Sequence, residues 1–140
     1  MDEKEKISLK LRSMKKYVNF LSSKRNVSRE ELEGNYELRS AIERNFQLAI
    51  ESTLDIGEII ISVEGFEKPE DYKSVILILG KHDILPKDFA GEFALAAGFR
   101  NVLVHMYEEV DINILYNYLH NKLDDFDKFA KYMVEYIRSK

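Results

Sequence analysis

Residues 100–107 place an arginine, an amide, an imidazole and a phenol close together: Arg100, Asn101, His105 and Tyr107, in a chain with three histidines. These side chains suit chemistry at a phosphodiester. An imidazole with an ordinary pKa of about 6.5 takes or gives a proton near neutral pH, help typically worth about 10²- to 10⁴-fold in rate. A guanidinium is permanently charged and planar, matched to a phosphate that gains negative charge in a transition state. Asn101 can orient His105 or hydrogen-bond a substrate. RNA brings its own nucleophile, the 2′-OH, so neither a protein nucleophile nor a bound metal is obligatory.

A regular helix does not aim all of these groups at one point. At about 100° per residue, Arg100 and Tyr107 fall within roughly 20° of each other. Asn101 and His105 are neighbours one turn apart. Arg100 and His105, however, diverge by about 140°. Leu95, Phe99, Val102, Leu103 and Met106 then share the side expected to face a core. Either the helix ends near His105, or residues from a second copy complete the site. A two-fold dimer pairing the two segments gathers two arginines and two histidines around one groove.

The elements that must position this segment read as helices. Ile7, Leu11, Met14, Val18 and Leu21 recur at helical spacing and predict a helix over 3–23. Ser28 with Glu31 is a capping box opening the next element. Residues 36–63 carry a wide apolar face of Ile42, Phe46, Ala49, Ile50, Leu54 and Ile60, with Gly65 as the stop. Glu43, Gln47, Glu51 and Asp55 form a polar stripe along it, expected to meet solvent, with Glu43 the member that a bordering cleft would use. Pro69-Glu70-Asp71 is read as the start of a further helix, and Val75–Leu79 as a buried helical turn rather than a lone strand. Pro86 opens a helix that runs on into the motif, past the small residues Ala94, Ala96, Ala97 and Gly98, which permit close approach in the bundle or at a dimer seam. Asp111 caps a last helix over 112–138, whose inward face is Leu115, Leu119, Leu123, Phe126, Phe129, Ala130, Met133 and Ile137. His82 and His120 read as ordinary helix-end or structural histidines. The fold class is all-α, a four- to five-helix up-and-down bundle in one domain over 1–140.

Composition narrows the function. With a net charge of −4 the chain does not coat nucleic acid non-specifically, yet a cleft with a few local cations remains open to it. No cysteine means no disulfide framework or thiolate metal site, and no His-Glu-x-x-His pattern or Gly-rich phosphate loop occurs. Neither a cofactor nor a metal is expected. The start, MDEKEKISLKLRS, lacks a signal-peptide core, and no apolar run approaches the roughly 20 residues that span a bilayer, so no membrane association and a cytoplasmic location are expected.

The pattern Arg100, four residues, His105, one residue, Tyr107 resembles the signature of the HEPN superfamily in its HepT-like toxin branch. The resemblance covers the whole chain, including the acidic and aliphatic helix around 43–61 and the Tyr-rich last helix. It implies a small helical toxin of a toxin–antitoxin pair: a metal-independent endoribonuclease working as a homodimer on an RNA substrate, with His105 as acid/base and Arg100 on the phosphate. It also implies a cognate MntA-like nucleotidyltransferase antitoxin that attaches AMP to Tyr107. Bulky, negatively charged AMP beside Arg100 would block the phosphate site. A second reading comes from another class: a non-catalytic helical partner and substrate of a minimal nucleotidyltransferase, favoured by the acidic charge and the lack of a basic stripe.

Overall fold

The long apolar stripe becomes the longest helix, and the rest of the chain packs around it. In the computed structural model, which describes residues 2–106 and 110–140, every regular element is helical. They are α1 (Glu3–Ser23), α2 (Arg29–Gly34), α3 (Tyr36–Glu64), α4 (Tyr72–Lys81), α5 (Lys87–Phe93), α6 (Leu95–His105), α7 (Ile112–Asn121) and α8 (Leu123–Arg138). α1 lies along α3, α4 and α6 pack on α3, α5 packs on α4, and α8 packs on α1.

Local chemistry explains most boundaries. The Ser28–Glu31 capping box forms as expected, and Gly65 ends α3 in the left-handed region at φ 68°, where a Cβ would be strained. Asp111 accepts from the Asn113 N–H and caps α7. Val75–Leu79 is helical, with Val75, Ile76, Ile78 and Leu79 buried.

Three expectations need correction. α4 begins later than Pro69: Asp71 is its N-cap, in a reciprocal box with Ser74, so Pro69 lies outside the helix. The helix from Pro86 into the motif is broken at Ala94, where the Ala97 N–H bonds to a carbonyl only three residues back. The last helix is likewise two, interrupted at Lys122, after which Asp124 and Asp125 occupy the first turn of α8 and favour a new helix start.

The core runs along both sides of α3. Phe46 of α3, Phe99 of α6 and Tyr118 of α7 form an aromatic cluster, with Phe99 and Tyr118 stacked at 4.2 Å. Phe93 packs on Phe126 and Phe129 of α8. These contacts fix α6 by its buried face. Burying each such ring contributes about 1.5–3 kcal/mol, so the motif helix is held firmly even though its break leaves it only 11 residues long. Leu95 and Met106, assigned to the core from the wheel, are instead about half exposed, because α6 starts and ends at these positions. Ala94, Ala96 and Ala97 are buried within the bundle, whereas Gly98 is exposed and a Cβ there would meet open space.

Two other glycines make the close approaches. A Cβ on Gly57 of α3 would meet Val75 Cγ1 of α4 at 2.5 Å, and one on Gly80 would meet Ala90 Cβ of α5 at 2.5 Å. α4 is therefore closely seated on two sides, by Val75 on the α3 backbone and by its own backbone at Gly80 on Ala90 of α5.

Candidate functional site

α6 ends at His105: Met106 is its C-cap and donates its N–H to the Val102 carbonyl. The helix does end near His105, but it is regular from Arg100 to His105, so this end does not by itself bring the two side chains together. Tyr107, the predicted modification site, and Glu108 and Glu109 lie outside the described residues.

His105 and Asn101 are exposed and line one open groove of about 680 Å³. Its far wall is the start of α4, with Pro69, Glu70, Asp71, Tyr72 and Val75, and Glu58 of α3 closes one side. Three acidic residues therefore line the groove together with the imidazole. Asp71 is firmly ionised, since the Ser74 backbone N–H and hydroxyl both bond to it and hold its carboxyl below the usual range.

Arg100 does not line that groove; it leans back onto α3. Its Nε donates to Glu51 Oε2 at 2.9 Å, Nη2 lies 2.8 Å from the same oxygen, and Nη1 donates to Asn101 Oδ1 at 3.2 Å. The Tyr72 ring lies 4.8 Å from the guanidinium carbon, within cation–π range. The Arg100 side chain is only 14% exposed, so its charge is partly desolvated and matched by Glu51. Gln47 also donates to Glu51 Oε2, at 3.3 Å. The Nε–Nη2 edge is taken by Glu51 and Nη1 is bonded to Asn101, so the guanidinium is held on both sides.

Asn101 is the bridge. It touches Arg100 through its side-chain oxygen and shares the groove with His105. Arg100 and His105 are thus adjacent through Asn101 and Tyr72, but they do not converge on one point within a single copy.

Sequence reasoning missed Glu51 and Tyr72. The polar stripe on α3 is not simply a solvated face: Glu51 pairs with Arg100, and Asp55 pairs with Lys10 of α1 at 2.9 Å. The four-residue spacing of Gln47 and Glu51 was visible, yet nothing in one sequence says which helix it faces. Glu43 does border a groove, with Arg39 3.6 Å away, and burial pushes its carboxyl up. His82 and His120 take structural places. His82 stacks on Phe66 and bonds to Glu67 at 2.6 Å, and His120 Nε2 lies 3.1 Å from the Val27 carbonyl. Among the described residues no helix is long and apolar enough to cross a membrane.

Comparison with known proteins follows the same outline. A family model described as "Ribonuclease HepT-like" matches residues 10–133. The tRNA nuclease HepT of Aphanizomenon flos-aquae is 26% identical over 131 residues, 94% of this chain and 89% of that protein. The mRNA nuclease HepT of Shewanella oneidensis is 22% identical over 95 residues, 68% of this chain and 71% of that protein. Among solved structures, the tri-AMPylated Shewanella oneidensis HEPN toxin in complex with MNT antitoxin superposes with a TM-score of 0.86 at 18% identity, covering 96% of this chain and 99% of that one.

Proposed function

The chain belongs to the ribonuclease HepT-like family, and we propose on that footing that it is the toxin of a toxin–antitoxin pair, a metal-independent endoribonuclease acting as a homodimer. The observation that carries this reading is the exposed His105 in an open groove, with Arg100 held one side chain away. Cleavage needs the RNA 2′-OH to attack the adjacent phosphorus while the bond to the 5′-oxygen breaks. One imidazole takes the 2′-OH proton and another gives a proton to the departing 5′-oxygen, leaving a cyclic phosphate and a 5′-hydroxyl. Arg100 stabilises the charge gathering on the non-bridging oxygens, a contribution worth about 3–4 kcal/mol for a well-placed donor.

The two proton transfers favour two copies over one. A single groove holds one imidazole, lined with it by Glu58, Glu70 and Asp71. A second motif segment across a two-fold axis supplies the second imidazole that the proton transfers use. Exposed Met106 and Tyr72 beside His105 leave apolar surface for that contact.

Silencing follows from Tyr107. A partner nucleotidyltransferase of the MntA type joins the Tyr107 oxygen to the α-phosphorus of ATP and releases pyrophosphate. The AMP so attached, two residues beyond His105 in the sequence, adds bulk and negative charge that oppose RNA binding.

The carboxylate wall also favours the alternative, a non-catalytic substrate of the transferase. Purified protein and its His105→Ala variant separate the two. The toxin reading expects RNA cleavage and growth arrest from the wild type and neither from the variant, which keeps its fold because His105 is exposed. Intact RNA with wild type at every concentration, together with AMP on Tyr107 after exposure to the transferase, would establish the alternative.

A further inference from the structure

A second groove, of about 530 Å³, lies on the other side of α6 and differs from the His105 groove in sign of charge. Its lining comes from the first three turns of α3, with Tyr36, Arg39, Ser40, Arg44 and Gln47, and from Leu103 of the motif helix. Two guanidiniums face one carboxylate, Glu43, whose Oε2 is buried without a hydrogen-bond partner. Arg39 is fixed: its Nη2 donates to the Val110 carbonyl at 2.8 Å, so its charge is held in place just beyond the motif. Arg44 is exposed. Tyr36 is 82% exposed, the most solvent-accessible large apolar or aromatic side chain among the described residues.

An exposed ring beside fixed and mobile cations is the combination that grips single-stranded nucleic acid, the base on the aromatic face and the phosphate on arginine. The chain as a whole, at −4, has no diffuse attraction for RNA, so a local grip is what it needs. The carboxylates around His105 repel a strand leaving in their direction. The Arg39–Arg44 side attracts it.

We propose that this groove is a subsite for a nucleotide flanking the scissile bond of single-stranded RNA, with its base on Tyr36 and its phosphate on Arg44 and Arg39. The assignment rests on the ribonuclease reading for the words "scissile bond", but binding alone tests the groove. It also implies a path for the strand, which runs between the His105 groove and the basic one across α6.

The test uses the full chain carrying His105→Ala, so that RNA survives, and fluorescence anisotropy of a labelled single-stranded RNA. In that background Tyr36→Ala weakens binding about five- to a hundredfold. Arg44→Gln lowers the slope of log affinity against log salt by about 0.7. Both residues are exposed, so neither change endangers the fold. Duplex RNA, whose bases are not free to stack, is unaffected by Tyr36→Ala. If either variant binds the single strand as its parent does, or if duplex binding falls equally with Tyr36→Ala, the assignment is overturned. Should the groove variants respond while protein with His105 intact cuts no RNA, the nuclease reading fails and the RNA-binding groove stands.

Discussion

Replacing Glu51 with glutamine keeps the shape of the side chain and removes the charge that holds Arg100. The pair is partly desolvated, with Arg100 14% and Glu51 29% exposed. A hydrogen bond to a charged group contributes about 1.5–3 kcal/mol, against about 0.5–1.5 for a neutral one. Exposure of Glu51 discounts the upper end, so we expect Glu51→Gln to cost about 1–2 kcal/mol. In a chain of this size that lowers Tm by on the order of 5 °C. A double-mutant cycle with Arg100→Gln isolates the pair, and the expected coupling is about 1–2 kcal/mol by urea denaturation at fixed protein concentration. Catalysis separates holding from mere packing. With its Nε–Nη2 edge released, Arg100 loses its aim, and misplacement of about 1 Å costs up to about 10²-fold in kcat. KM falls or stays level, because a negative charge near the phosphate has gone. Glu51→Asp should recover part of kcat. A coupling within about 0.3 kcal/mol of zero, or a Glu51→Gln enzyme with parental kcat, would refute the view that α3 aims the arginine.

Three further outcomes follow from the packing and the charges. Gly57→Ala drives a methyl group against buried Val75 and should cost about 1–3 kcal/mol, read as a lower Tm. The Glu67 carboxyl, hydrogen-bonded by Lys81 first and His82 second, is held down to about 2. Because the folded value lies below the ordinary 4.5, the stabilisation is present above about 4.5 and is lost as pH falls through about 2; a carboxyl resonance titrating near 4.5 in the folded protein would contradict this. Tyr136 donates its hydroxyl to Glu64 at 2.7 Å, and burial followed by that bond pushes its pKa up. Tyr136→Phe should therefore cost about 1–2 kcal/mol in denaturant melts, and an unchanged midpoint would show the bond to be idle.

How far one sequence carried the argument depends on whether the physics was local. Capping is local, so Ser28, Gly65 and Asp111 were legible as boundaries, and three- and four-residue spacing disclosed the buried faces of α1 and α3. The breaks at Ala94 and Lys122 carry no glycine or proline, and they arise where Phe93 docks on α8 and where α7 gives way to α8. At Ala94 no short-range signal marks the break, whereas at Lys122 the acidic pair Asp124 and Asp125 was one that the sequence reading passed over. Arg100, Asn101 and His105 were legible as candidates because chemistry is written in residue types. Glu51 was not, because it lies 49 positions away and only the packing of α6 on α3 brings it to the arginine.

The tight seating of α4 has a mechanical consequence. This helix brings Tyr72 to the guanidinium and begins with Asp71 on the groove wall, while Gly57 and Gly80 leave it no slack against its neighbours. Interiors packed at crystal-like density transmit displacement rather than absorb it. A bulkier atom deep between α3 and α4 would accordingly be registered at the mouth of the His105 groove, making the width of that opening a property inherited from the hydrophobic interior.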